Sequence, residues 1–190
     1  MHPEEGPVAP LKAYDLASLE ALIETHGTRL LRSATLLCGN ETNAQDLVQD
    51  TFVEAYRSLH RFRGQASLYT WLHSILLNLT RHDRRDGKRL VYDNELALQE
   101  ISTFEEQPSA SDLETASIGL ARALQQLSGP HREVLILRYY EQMKIRDMAR
   151  HLGISTGTVK SRLHYAIQEM QKLFPPELNL FGAGGTKETV

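Results

Sequence analysis

Disulfide stapling is excluded for this chain, because its 190 residues hold a single cysteine, Cys38, and a reducing compartment fits that usage. As a small apolar residue ending a helical stretch, Cys38 is expected to pack rather than react. Aromatic residues are sparse, at 7%, with one tryptophan, Trp71. No apolar run is long enough to cross a bilayer; the longest, around Trp71 to Leu79, is interrupted by His73, Ser74 and Asn78. Residues 1–10 lack the basic cluster of a secretory leader, carrying two glutamates and three prolines instead. Alternating Val/Ile/Thr-rich runs and hairpin turns are also missing, which removes sheet-based folds and leaves an all-α chain. No internal repeat is visible. Neither a Cys/His zinc cluster nor the Glu-x-x-His pairs of a di-metal helical bundle occurs, so no cofactor and no metal is expected. With 41% hydrophobic residues, the chain can bury one modest core or two small ones.

Charge is distributed unevenly. The net charge is −3, yet residues 26–92 carry +4 and residues 121–174 carry +5. Between them, residues 93–120 hold seven acids and no Lys or Arg. Two cationic blocks around an anionic stretch say more about partners than the whole-chain balance does. The stretch from Asp93 to Glu114, with Gln107-Pro-Ser-Ala-Ser-Asp and only scattered apolar residues, reads as a mobile tether. A loop with one short helix near Leu96–Ile101 is the alternative. The expected division is therefore helical domains over 12–92 and 119–174, an acidic linker over 93–118 and a disordered tail over 175–190. Gly182-Ala-Gly-Gly-Thr-Lys187 in that tail has no strand or helix around it to make a phosphate loop.

What is present is most specific near the C-terminus. From Ile145 to Tyr165 the chain reads as a helix-turn-helix. Ile145, Met148, Ala149 and Leu152 mark one apolar face, and Gly153 ends that helix. Ser155 caps the next, whose stripe is Val159, Leu163, Ala166 and Met170. Small Ala149 permits a close crossing of the two helices. Lys160, Ser161 and His164 share an exposed face opposite Val159 and Leu163, which makes them major-groove candidates, whereas Arg162 suits a phosphate.

In the first domain, Asp15 opens a helix through Leu16, Leu19, Leu22, Ile23, Leu30 and Leu31, which stops at Gly39-Asn40. Asn43 caps a second, with Leu47, Val48, Phe52, Ala55, Tyr56 and Leu59 on its apolar side. Asp46, Asp50 and Glu54 line one face of it beside Gln49. A solvated face is the simpler reading of this row; a dock for a basic partner is the other. The loop Arg61-Phe-Arg-Gly-Gln-Ala-Ser67 leads into a third helix, with Leu68, Leu72, Ile75, Leu76 and Leu79 apolar. A separate stripe runs Trp71, Ser74, Asn78, Arg81, His82, Arg85 and Arg89. Between Arg57 and Arg89 eight basic residues face two aspartates. Cations for phosphates, with rings and amides for exposed bases, suit single-stranded or opened DNA. Trp71 by itself is expected in the core, as lone tryptophans usually pack.

The run from Asp46 to Arg57, then Arg61-Phe-Arg-Gly, Tyr69-Thr-Trp-Leu and Ile75-Leu-Leu-Asn78, closely resembles the second conserved domain of sigma-70 superfamily factors, the extracytoplasmic-function (ECF) group above all. Leu127-Ser-Gly-Pro-His-Arg-Glu-Val-Leu-Ile-Leu-Arg138 and the helix-turn-helix resemble that group's fourth domain. The resemblance implies that Asp46, Gln49, Asp50 and Glu54 bind the β′ clamp of core RNA polymerase, with the β flap as a further contact. It implies that the Arg61–Ser67 loop captures a base flipped from the minus-ten element, and that Asn78 and His82 lie on the adjoining face. The minus-ten set is then Arg61, Phe62, Arg63, Gln65, Ser67, Trp71, Asn78, Arg81, His82 and Arg85. The minus-thirty-five set is Thr158, Lys160, Ser161, Arg162, His164 and Tyr165. An anti-sigma factor, often membrane-tethered, is implied as a partner, placing the chain in the bacterial cytoplasm or at the inner membrane through that partner. Histidines at 82 and 164 leave base preference open. A sigma factor is a specificity subunit and not an enzyme. A stand-alone helix-turn-helix regulator is the alternative, and would footprint duplex DNA without polymerase.

Overall fold

The computed structural model describes residues 16–86 and 119–173. The acidic linker, the tail, Asp15 and Arg89 lie outside the described residues. Those described are helical with no strand among them, as the residue pattern predicts. They group into two compact units, 16–34 with 42–86 and 35–41 with 119–173.

The first unit is built from helix α1 (Leu16–Cys38) up to Ala34, helix α2 (Glu41–Ser58) from Thr42 onward and α3 (Leu68–Asp86), with a 3-10 turn over Leu59–Arg61; the end of α1 belongs to the second unit. Helix α1 buries Leu22, His26, Leu30, Ser33 and Ala34, a three-and-four spacing that keeps one face inward. Ile23, expected on that stripe, is instead 45% exposed, because the buried arc is centred on Leu22 and Leu30. Cys38 is buried at the helix end as expected, its thiol donating to Asn40 O at 3.2 Å. Gly39 follows with φ +75°, a backbone state that side chains rarely adopt. Helix α2 starts at Glu41, not at a cap on Asn43, so Asn43 lies inside the first turn. An acid in that turn suits the positive helix end.

Helix α3 buries a wider and more polar arc than the apolar pattern suggests. Leu68, Tyr69, Leu72, His73, Leu76, Leu77 and Thr80 are inside, while Ile75 and Leu79, assigned to the core from the sequence, are only half-buried. Full burial contributes roughly 1.5–3 kcal/mol for each leucine. The polar members are satisfied: His73 Nε2 lies 2.8 Å from Ser33 Oγ, and Thr80 donates to Leu76 O at 2.8 Å. Beside them the Arg29 guanidinium stands 3.9 Å from the centre of the Tyr69 ring. Burial, reinforced by the Arg29 charge, pushes the His73 imidazole down to about 3, so it is neutral in the folded protein at ordinary pH.

The second unit comprises α4 (119–126), α5 (Gly129–Leu135), α6 (Ile145–Leu152) and α7 (Thr156–Leu173), with a π turn over Ile136–Tyr140 extending α5. Its core is apolar: Val134, Leu137, Met148, Val159, Ala166 and Met170 are closed to solvent. Three charged side chains, Arg132, Glu133 and Glu141, are buried with them. Arg132 donates to Leu124 O at 2.9 Å, Gln125 O at 2.9 Å, Leu127 O at 3.3 Å and Leu37 O at 2.6 Å. It thereby gathers carbonyls from the end of α4, where a helix leaves such groups short of partners, and one from the end of α1; Leu124 O also accepts from Leu127 N at 3.2 Å. In the π turn, Glu141 N donates to Ile136 O at 2.9 Å and Met143 N to Leu137 O at 2.9 Å. Gln142 completes the reversal at φ +53°. The widened turn leaves Tyr139 50% exposed and turns Glu141 inward.

Candidate functional site

Three surfaces stand out, two on the first unit and one on the second. On α2 the buried face is Ala44, Leu47, Thr51, Phe52 and Ala55. Asp46, Gln49, Asp50 and Glu54 all lie outside it and are exposed. Amphipathic spacing forces this, since these positions fall on the turn faces the core residues leave free. Val53 lies between Asp50 and Glu54 along the helix and is 42% exposed. Sequence reasoning passed over Val53; its signal is an apolar residue just outside the Leu47-Thr51-Ala55 stripe.

The second surface is the loop after the 3-10 turn and the start of α3. Phe62 N donates to Leu59 O at 3.0 Å, which closes the turn. Gly64 takes φ +67° with open space around it, so its backbone angle rather than crowding calls for glycine. Ser67 then caps α3: its Oγ accepts from Thr70 N at 3.1 Å and lies 2.9 Å from Thr70 Oγ1. Arg61, Arg63, Gln65 and Ser67 are exposed, and Phe62 is half-buried. Trp71, expected in the core, is also only half-buried. It packs against Phe62, ring centres 5.2 Å apart and planes at 42°. The reason is local: the arc through Leu68, Leu72 and Leu76 faces the core, and Trp71 sits at its edge. Asn78 and His82 are exposed and Arg81 is half-buried along the same helix; Arg85 follows on its last turn.

The third surface is the helix-turn-helix. Gly153 ends α6 at φ +66°, and Ile154 N reaches back to Ala149 O at 3.0 Å. Ser155 caps α7, accepting from Thr158 N at 3.0 Å. Met148, Ala149 and Leu152 of α6 and Val159, Leu163, Ala166 and Met170 of α7 are buried, as the spacing predicts, while Ile145 is half-buried. That seam leaves Lys160, Ser161, His164 and Tyr165 exposed on α7, with Thr158 and Arg162 half-buried at the margins. Tyr165 is 57% exposed, and the His164 ring meets it edge-on at 5.5 Å. His131 on α5 and Glu169 on α7 pair at 2.8 Å and tie the two helices together. Among the described residues no group of three His, Cys, Asp or Glu could hold a metal ion, and no helix is long and apolar enough to cross a membrane.

Two family models match this chain, Sigma-70 region 2 over residues 22–90 and Sigma-70, region 4 over residues 118–170. The ECF RNA polymerase sigma factor SigL of Mycobacterium tuberculosis is 32% identical over 167 residues, covering 86% of this chain and 93% of that protein. The RNA polymerase sigma-H factor of Pseudomonas aeruginosa is 27% identical over 173 residues, with 86% and 90% covered. Among solved structures, the sigma factor RpoE in complex with the anti-sigma factor NepR from Bartonella quintana is similar at a TM-score of 0.64 and 26% identity, over 83% of this chain and 97% of that one. CnrH in complex with the cytosolic domain of CnrY is similar at 0.60 and 28% identity, over 84% and 89%.

Proposed function

This chain belongs to the extracytoplasmic-function group of sigma-70 factors, and from that premise we propose a division of labour among its three surfaces. The carboxylate face of α2 docks on the β′ clamp of core polymerase, with Asp46, Gln49, Asp50 and Glu54 as its polar contacts and Val53 as an apolar anchor. The outer face of α7 enters the major groove at the minus-thirty-five element. The Arg61–Ser67 loop and the Phe62–Trp71 edge of α3 hold a base flipped from the minus-ten element, helped by Asn78, Arg81, His82 and Arg85.

The energetics favour assembly over independent action. Flipping a base costs a few kcal/mol, and stacking on an aromatic ring contributes about 1–3 kcal/mol. One loop therefore roughly breaks even by itself. Tethering it to a second DNA contact through a polymerase raises its effective concentration and tips the balance. The observation that carries this reading is the exposed acid row on α2 in the same chain as a helix-turn-helix with an open outer face. A stand-alone regulator has no use for the former. The acid-only sequence from 93 to 120 would keep the connection between domains off DNA. Neither domain acts as an enzyme in this scheme; the subunit supplies specificity to the polymerase.

RpoE and CnrH were each solved with a partner, NepR, an anti-sigma factor, for RpoE and the cytosolic domain of CnrY for CnrH. By that likeness the chain is held inactive by an anti-sigma factor until a signal frees it. If that partner is membrane-anchored, the chain is retained at the inner membrane without inserting into it.

Reversing one charge tests the docking face. Asp50→Arg should cut core-polymerase binding about a hundredfold, the scale of losing a buried charge contact, with the same unfolding transition as wild type. Undiminished co-purification with core enzyme removes the docking role.

A further inference from the structure

Helix α2 and the turn after it change sign along their length. The helix carries Glu41, Asp46, Asp50 and Glu54, and no Lys or Arg occurs between Arg32 and Arg57. From Arg57 the sign reverses: Arg61 and Arg63 follow, with His60 among them, and no acid occurs again until Asp83. Arg57 comes three residues after Glu54 and so shares the acid side of α2. His60 and Arg61 come three and four residues later, in the 3-10 turn. Ala55 and Leu59 are buried and anchor this stretch, whereas Arg57, His60, Arg61 and Arg63 are all exposed. Phe62, whose backbone N–H closes the turn on Leu59 O at 3.0 Å, follows Arg61 directly and packs against Trp71. The cations therefore run into the aromatic edge. The negative end of α2 accounts for one cation at its last turn, but not for those beyond it.

We propose that Arg57 and His60 extend the DNA surface back onto α2 by holding the sugar-phosphate backbone beside the captured base. The change of sign between Glu54 and Arg57 then marks where docking on protein ends and contact with nucleic acid begins. This rests on the reading that the Arg61–Ser67 loop and the Phe62–Trp71 edge capture a base. A base turned into that edge leaves its flanking phosphates at the rim, where Arg57 and His60 lie next to Arg61. The guanidinium fork matches a phosphate, and an imidazole offers an N–H donor in either protonation state. Such contacts position the strand and carry no sequence information. An acidic protein surface would also suit cations, but an aromatic pair on which bases can stack, continuous with them, favours a nucleic acid.

The test is the salt dependence with which reconstituted holoenzyme binds a promoter fragment whose minus-ten segment is single-stranded. Each phosphate neutralised on a single strand adds about 0.7 to the slope of log affinity against log salt. Arg57→Gln should reduce the slope by about 0.7 and the affinity at about 0.1 M salt by about fivefold, with the unfolding midpoint of wild type. Arg57→Lys should restore both. His60→Ala should weaken binding alike for fragments of different minus-ten sequence. An unchanged slope in Arg57→Gln overturns the proposal, and so does a loss in either variant that falls on one base alone, since that marks base reading. Weaker assembly of Arg57→Gln with core polymerase, at an unchanged slope, assigns the residue to an acidic protein surface and also overturns it. Phe62→Ala separates the two readings, because it removes a ring and no charge: it should lower the affinity without moving the slope. If Phe62→Ala loses affinity while Arg57→Gln keeps the full slope, the proposal fails and base capture stands. If Phe62→Ala binds as wild type does, base capture fails and the proposal falls with it.

Discussion

Both helices assigned to DNA begin with the same device. Ser67 and Ser155 each accept from the backbone three residues on, at 3.1 and 3.0 Å, and each hydroxyl lies 2.9 Å from a threonine hydroxyl at that same position. Each is preceded by a glycine with positive φ, Gly64 and Gly153. Behind the caps the two helices differ. Helix α3 rests on a core that includes His73, Ser33 and Thr80, all buried and hydrogen-bonded. Helix α7 rests on Val159, Leu163, Ala166 and Met170. An apolar seam is tolerant of pH and sensitive to volume; a polar one is sensitive to protonation, because an unpaired buried group is costly. The contrast teaches that the same cap can launch a helix from supports whose failure modes are opposite.

The largest expected effect probes the apolar support. Met148→Ala removes a fully buried side chain from the core of the second unit, and should destabilise that unit by about 2–5 kcal/mol. Calorimetry should show one transition shifted, with core-polymerase binding through the first unit retained; equal loss in both units would break the comparison. Next, Lys160→Ala and His164→Ala should each cost about 1–3 kcal/mol of discrimination upstream without changing capture of the melted strand. Promoter selection reads this directly, and a preference altered at the minus-ten element instead would reverse the assignment of the two helices.

The third sharpens the polar side. Because the folded value of His73 is depressed from 6.5 to about 3, the unfolded chain takes up the proton first as pH falls. Its contribution to stability is therefore fully present above about pH 6.5 and is lost progressively down to about pH 3, at up to about 1.4 kcal/mol per pH unit. His73→Gln should flatten the pH dependence of first-unit stability, most visibly between about pH 5 and 6.5, above the range where most carboxylates titrate. Chemical denaturation of both proteins across that interval would show it, and parallel curves would contradict the account. The smallest effect is at the half-exposed tie between His131 and Glu169. Glu169→Gln should cost under about 1 kcal/mol, and a larger loss would mean that α7 depends on polar support after all.

Much of the second unit was legible residue by residue. Gly153, Ser155 and the Val159-Leu163-Ala166-Met170 stripe act locally, through backbone angle, cap and helical spacing, and the structure places each as expected. The first unit was legible only in outline. Its acid row emerges on one exposed face of α2, as four-residue spacing requires. His73 looked like an interruption of an apolar run, yet it is buried, since Ser33, forty residues earlier, supplies its partner. Trp71 was expected inside and stands at the rim, against Phe62. The π turn and the Arg132 clamp fall in or next to the block that resembles the group's fourth domain, but nothing in the local spacing foretold the burial of Arg132.

Helix content, the Ser155 cap, the two cationic blocks and the helix-turn-helix follow from neighbours a few residues apart, and for these the sequence by itself was sufficient. Which polar groups are buried and which apolar residues face outward were decided by tertiary structure alone. Those outcomes depend on partners brought close by folding, and on whether a hydrogen bond is found once water has been excluded.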